Sequence, residues 1–366
     1  MKLNRIIILA LLAITITACT KDIDYKGPDG KRMLVVNSIT GAGDTLVLKM
    51  SHSAYFLDTY RSSSMLENDV NVKIDINGDT RIGLYSDSLK GFSDGRIINQ
   101  GDIISVSASH QLYGSLSATD TVPYAQEMSI RSYTKEYIPA RTMSEMFDKF
   151  KPQFDTSSID SIWVNEIDIH GRKDTTDFYI LSVHPTMTYY KYDYDTFKYD
   201  TITKDISFRI PPATKVLMEQ ENAQTAVVEE SQADNLYLTG HKYFIFDDQY
   251  IKDGEKLSFE IVMQKPDTLQ FLLTFDPVSK KFIPGDRAES IAHLIKDNVT
   301  YNMDIRLHVL SSTCYYYYMS SSDFKQSNIT LMSEPVTVLH NVKGGLGILG
   351  AYATTQSSPT LSYKFK

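Results

Sequence analysis

Apolar and polar positions alternate with a period of two along much of the first third of the chain. Val70, Val72, Ile74 and Ile76 fall on one face of a strand, with Asn71, Lys73 and Asp75 between them on the other. Asn77-Gly78 follows, the dipeptide that best tolerates the positive φ angles of a tight hairpin, and Arg81 to Tyr85 returns as the second arm. Met33 to Ile39 is a short apolar run and Thr45 to Met50 alternates. Gly101-Asp102 opens another strand through Ile103, Ile104, Val106 and Ala108. Short strands at turn-punctuated spacing predict a β-sandwich over 32–124, closed at Thr121-Val122-Pro123.

The pattern continues over 125–366 with longer strands. Gln126 to Tyr133, Ile162 to Ile169 and Phe178 to Val183 read as strands, and Thr188 to Tyr194 with Thr201 to Ile210 as a long hairpin. Lys242 to Phe246, Leu257 to Met263, Leu269 to Phe275 and Tyr301 to Leu310 extend the series. Helical spacing is confined to Arg141 to Phe150, part of Lys215 to Glu230, and Arg287 to Ile295. The expected fold is therefore mainly β: two tandem β-sandwich-like (Ig-like) domains with a few short helices.

The first 18 residues have a different character. Lys2 and Arg5 precede a predominantly apolar run from Ile6 to Ile16, too short for the roughly 20 residues that span a bilayer but matching a secretory signal. Ile16-Thr17-Ala18-Cys19 resembles a bacterial lipobox, which predicts cleavage after Ala18 and lipidation of Cys19. Acyl chains buried at ~0.8 kcal/mol per CH2 would hold the body at a membrane. Thr20 to Lys31 is then a polar tether. Its Lys21-Asp22-Ile23-Asp24 resembles the signal that sends Bacteroidota lipoproteins to the outer face of the outer membrane.

Charge narrows the partners. Of 37 basic and 45 acidic residues, Lys2 and Arg5 leave with the signal, so the mature chain carries −10. A nucleic-acid partner would need a basic face, and none is expected. With Cys19 lipidated, Cys314 has no intramolecular partner and reads as a buried structural thiol. The 24 tyrosines, with many Thr, Ser and Val, favour strands.

Motifs with chemistry are sparse. Gly345-Leu346-Gly347-Ile348-Leu349-Gly350 spells GxGxxG, but only 16 residues follow it, none acidic, so no dinucleotide-binding unit fits; a Gly-rich turn or bulge is the expectation. Ser322-Asp323-Phe324-Lys325 fits SxxK without its companion motifs. The eight histidines, His184 and His241 among them, show no metal-ligand spacing. The pairs Glu229-Glu230 and Asp247-Asp248 would point to opposite faces of a strand. No catalytic residue, metal ligand or cofactor site is assigned.

The most distinctive binding candidate is aromatic. Tyr190, Tyr192 and Tyr194 share one strand face, with Tyr199 on the returning arm. Such a stripe can stack on sugar rings or grip a protein or peptide; the alternative is that the rings cover the core. Asp-Ser/Thr triplets beginning at Asp44, Asp87, Asp120, Asp160, Asp174, Asp200 and Asp267 resemble an O-glycosylation sequon, and are also ordinary turn-to-strand junctions.

Several segments together resemble one family of Bacteroidota lipoproteins, domain of unknown function 4249 (DUF4249). They are Leu34-Val35-Val36 leading to Ser38-Ile39-Thr40, the strand Val70 to Ile74, Asp120-Thr121-Val122-Pro123, and Asp234 to Gly254. At the end stand Glu334-Pro335-Val336, Asn341-Val342 and Gly344-Gly345-Leu346-Gly347-Ile348. Leu349 and Thr330-Leu331-Met332-Ser333 depart from the family's pattern. The resemblance implies two β-rich domains on an outer-membrane anchor and no known activity. It also implies a helix around Ser311 to Met319, where the tyrosines alone suggest a strand; both readings stand open. The functional expectation is a non-catalytic binding accessory of a TonB-dependent nutrient-uptake receptor, taking a glycan or peptide ligand. The alternatives are an adhesin or structural envelope lipoprotein, and, behind it, a cell-surface hydrolase.

Overall fold

A computed structural model describes residues 32–53, 68–137, 160–170, 176–193, 196–219, 242–248, 256–263, 273–276, 281–284, 295–327 and 338–364. The expected signal peptide, Cys19, the tether, the Arg141 to Phe150 helix and nearly all of Arg287 to Ile295 lie outside these residues.

Four sheets account for the described chain. In the N-terminal part, β3 (Asn71–Ile76), β4 (Asp79–Ser86), β5 (Gly91–Ser93), β6 (Ile103–His110) and β7 (Gly114–Thr121) form a five-stranded antiparallel sheet in the order β5-β4-β3-β6-β7. Asn77 and Gly78 turn the β3–β4 hairpin with φ of 55° and 89°, as their residue types anticipate. Val70, Val72, Ile74 and Ile76 are all buried on one side.

A larger sheet spans the molecule in the order β11-β10-β16-β17-β1-β2, with β12 also on β10 and β18 also on β16. Its members are β1 (Leu34–Gly41), β2 (Lys49–His52), β10 (Phe178–Asp193), β11 (Lys198–Asp205), β12 (Lys242–Asp247), β16 (Ile295–Leu310), β17 (Leu346–Ser357) and β18 (Thr360–Lys364). The segments 32–124 and 125–366 both contribute strands to it. Strand β1 runs parallel to β17 over seven residue pairs, Val35↔Leu346 to Gly41↔Tyr352. A three-stranded sheet, β13-β9-β8, joins β8 (Met128–Tyr137), β9 (Asp160–Ile169) and β13 (Leu257–Val262), and β14 (Leu273–Asp276) pairs with β15 (Lys281–Pro284).

Two sandwiches share the large sheet. Leu34, Val36, Leu349 and Ala351 from β1 and β17 meet Ile74, Val106 and Leu116 of the five-stranded sheet in one core. Tyr179, Leu181, Met303 and Leu307 from β10 and β16 meet Trp163, Ile167 and Phe259 of the three-stranded sheet in the other. Strand residues alternate sides, so Ile180, Leu310, Ile348 and Tyr352 point the opposite way. There they pack under Cys314, Tyr315 and Tyr318.

Those three side chains belong to α2 (Ser312–Ser327), the longer of the two described helices; the other, α1 (Pro212–Glu219), begins before the expected Lys215 to Glu230 region and overlaps its start. Ser311 caps α2, its hydroxyl accepting the Cys314 N–H at 3.2 Å. The helical alternative for Ser311 to Met319 is therefore the observed one.

Two expectations are corrected. Phe178 to Val183 and Thr188 to Asp193 are one continuous strand through Pro185. The lost N–H is harmless there, because β12 partners β10 up to Val183 and the pairing with β11 starts at Thr186, leaving Pro185 between the two. Of the stretch expected as a Gly-rich turn or bulge, Gly345 is a bend and Leu346 to Gly350 is already strand. Gly347 has φ +104°, and a Cβ on it would strike the Val36 carbonyl of β1.

Candidate binding surface

The alternation that buries Tyr179, Leu181, Met187 and Tyr189 turns the even-numbered residues of β10 to the opposite side. Near one end α2 covers that side. Farther along, no described element covers it, and its described side chains are polar.

Register defines its rows. Thr188 stands opposite Thr203 of β11 and Thr300 of β16, and Thr300 opposite Ser362 of β18. Directly opposed residues in antiparallel pairs share a face, so four hydroxyl side chains cross four strands in one line. The Thr188 and Thr203 hydroxyls are 3.0 Å apart. The next row is Thr360, Asn302, Thr186 and Asp205. Asp205 is engaged with the ring of His184, Nε2 to Oδ1 at 2.9 Å. Beyond it Asp304 accepts from Arg306 at 2.7 Å and from Gln356 at 2.8 Å.

Aromatic rings lie at the other end, where β10 stays between β11 and β16 past an irregularity in the β10–β16 register after Thr188. Tyr190 pairs with Thr201, and Tyr199, two residues before Thr201, lies on the same face; both tyrosines are 42% exposed. Phe197 at the turn is 76% exposed with φ +57°. The backbone of Tyr192 pairs with Tyr199, and that of Lys296 with Tyr190. Tyr194 lies outside the described residues. The structure thus brings Tyr190 and Tyr199 together. Neighbouring Tyr189, by contrast, is core.

The hydroxyl rows were missed in the sequence. Half of the signal was local, since Thr186, Thr188, Thr201 and Thr203 recur at period two beside the tyrosines. The other half comes from β16 and β18, more than 90 residues away in the chain, and no local pattern could place it.

A second feature lies across the sheet. A cavity of about 340 Å³ is lined by Met187, Lys204, Phe208, Arg209, Glu260 and Tyr301, among others. Glu260 is buried and ion-paired twice, with Lys135 at 2.7 Å and Arg209 at 3.1 Å. Asp205 also lines this cavity and is held by His184.

One buried carboxyl stands apart from both places. Asp120, at the end of β7, packs against the start of α2 and Ala351 of β17. Burial pushes its pKa up to about 6, despite help from the hydroxyls of Ser311 and Thr313 and the backbone N–H groups of Thr121 and Ala351. Beside it the Cys314 thiol is fully buried, and burial, then the Asp120 charge, raise its pKa well above the usual value. Asp248 accepts the Asp177 N–H at 3.1 Å and Asp247 is buried, while His241, Glu229 and Glu230 lie outside the described residues. Among the sequon positions Ser88, Thr121 and Thr201 are exposed. Among the described residues no group of three or more His, Cys, Asp or Glu is placed to hold a metal ion.

The model of one protein family, "Domain of unknown function (DUF4249)", matches residues 20–358. The chain belongs to the DUF4249 family. This agrees with the resemblance carried by Leu34–Thr40 and Glu334–Ile348. No curated protein matches this DUF4249 chain. Among solved structures, one titled "Biofilm associated protein - B domain" is similar at 6% identity, over 88% of this chain and 85% of that one. Its TM-score is 0.19, a likeness too slight to carry an argument.

Proposed function

We propose that this protein is a lipid-anchored surface lipoprotein of the outer membrane that binds its ligand without transforming it, as an accessory of a TonB-dependent uptake receptor. The address rests on the lipobox at Cys19. The observation that carries the binding role is the face ending in Tyr190 and Tyr199, where half-exposed rings stand beside uncharged hydroxyl groups. Amphipathic rings of this kind give contact area and a polar handle at little entropic cost.

Catalysis finds less support. The two carboxylates that line the cavity, Asp205 and Glu260, each already face a basic group. Titrating Asp120 is closed in between β7, β17 and α2, where a substrate has no access.

The test is gentle solubilisation of native outer membranes, capture of this protein, and identification of what co-purifies in near-equal amount. A TonB-dependent receptor in that material is the expected result. The lipoprotein coming down alone overturns the accessory role and favours an adhesin or structural envelope component.

A further inference from the structure

We propose that the open face running from the Ser362–Thr300–Thr188–Thr203 row to Tyr190 and Tyr199 binds a neutral polysaccharide chain. This rests on the reading of that face as a ligand-binding surface and gives it a ligand class.

The chemistry of the face selects the occupant. A stable protein–protein interface needs an apolar core with aliphatic or aromatic anchors seated in pockets. Here the middle of the face presents hydroxyl groups in a line across four strands, and rings stand only at one end. A hydroxyl both donates and accepts, so such a row matches a ligand that is itself covered in hydroxyls. Tyr190 and Tyr199, each 42% exposed, supply ring faces on which the C–H side of a sugar can lie.

Charge points the same way. The hydroxyl row holds no ionisable side chain, and at the aromatic end the register sets a single lysine, Lys296, opposite Tyr190. The carboxylates along the border, Asp205 and Asp304, are engaged by His184 and by Arg306 and Gln356. The mature chain carries −10, which disfavours an acidic polymer. Shape decides between monomer and polymer. Four strands at ~4.8 Å spacing and four residues along β10 give a platform about 14 Å by about 13 Å. It is open rather than enclosed, and such a surface holds a chain by summed contacts where a single sugar would escape.

The decisive experiment is native affinity electrophoresis of the detergent-solubilised, full-length lipoprotein through gels containing a β-glucan, a galactomannan or a fructan, with polygalacturonate as the acidic control. The wild type is expected to be retarded by at least one neutral polymer. Tyr190→Ala/Tyr199→Ala is expected to weaken that retardation at least tenfold with an unchanged melting temperature. Thr188→Val/Thr203→Val, which keeps volume and β-propensity, is expected to weaken it several-fold and serves if the tyrosine variant fails to fold. Equal retardation of wild type and folded variants overturns the proposal, as does retardation by polygalacturonate alone or by no polymer. If no polymer binds but a receptor co-purifies with the wild type and not with the tyrosine variant, the face is a protein interface. That outcome overturns the polysaccharide while leaving the accessory role intact.

Discussion

Asn341 holds Leu349 by both of its backbone groups: Oδ1 accepts the Leu349 N–H at 3.1 Å, and Nδ2 donates to the Leu349 C=O at 2.8 Å. The same Nδ2 also reaches the Thr119 C=O at 2.9 Å. On this stretch β17 is paired with β1 on one side, while β16 pairs with it only from Tyr352 onward. The asparagine side chain thus stands in for a missing strand and ties β17 to β7. Two residues on, Lys343 exchanges backbone hydrogen bonds with Ser117 at 2.8 and 2.9 Å. Together they stitch the C-terminal strand to the N-terminal sheet.

Asn341→Ala should therefore cost about 2–4 kcal/mol, because it strands the backbone groups of a buried residue instead of deleting one surface bond. Asn341→Asp should be at least as harmful, since a carboxylate accepts the N–H but repels the two carbonyl oxygens. Equilibrium denaturation with urea would measure both; a loss under about 0.5 kcal/mol for the alanine variant would refute the clamp.

Glycine at 347 follows from the parallel pairing. Its φ of +104° and the Val36 carbonyl leave no room for a Cβ. Gly347→Ala should cost more than about 3 kcal/mol, combining backbone strain with a clash against main chain that cannot rotate away. Gly95→Ala is a fitting control. It shares a positive φ, 79°, but meets open space, so it should cost only about 1 kcal/mol. Thermal melts of the two variants falling by the same amount would contradict the assignment of close approach.

How much of this was readable beforehand depends on distance along the chain. Val72 and Ile74 announced their strand, and Asn77-Gly78 its turn, because both signals are local. Phe178 to Val183 and Thr188 to Tyr194 read as separate strands because a proline disturbs a strand only where a neighbour needs its N–H, and the pairings of β12 and β11, which leave Pro185 between them, are set by distant chain. Tyr315 to Tyr318 left helix and strand open. Local propensity favoured a strand, while the burial of Cys314, Tyr315 and Tyr318 and the exposure of Tyr316 show the helical period that packing on the sheet imposes. Of the candidate surface, the tyrosines and half of the threonines were visible. Thr300 and Ser362 were not, because strand order is a property of the whole chain.

Asp120 makes stability fall as pH rises. A carboxyl whose folded-state pKa lies above its unfolded value binds more protons folded than unfolded between the two values, so the stability present below the unfolded pKa is lost through the folded one. With values of 3.8 and about 6, the whole loss, spread from about pH 3 to about pH 7, is about 3 kcal/mol. Asp120→Asn should flatten this slope and be the more stable protein at pH 7, with little gain at pH 4. Denaturation midpoints at several pH values would settle it, a parallel slope in the variant being the contrary result.

Cys314 offers an independent reading of the same seam. The thiol is fully buried in the core under α2, beside Gly350, and burial together with the Asp120 charge holds it protonated. Only the thiolate reacts, so labelling by a disulfide reagent must wait for α2 to lift from β17. Folded wild type should therefore label over hours, and in minutes once denatured. Because an ionised Asp120 weakens the seam, the native rate should rise between pH 5 and 7 by more than the gain in hydroxide concentration explains. Asp120→Asn should remove that excess while leaving the denatured rate unchanged. Rapid labelling of the folded wild type would show that the thiol is open to solvent and that the seam does not close over it.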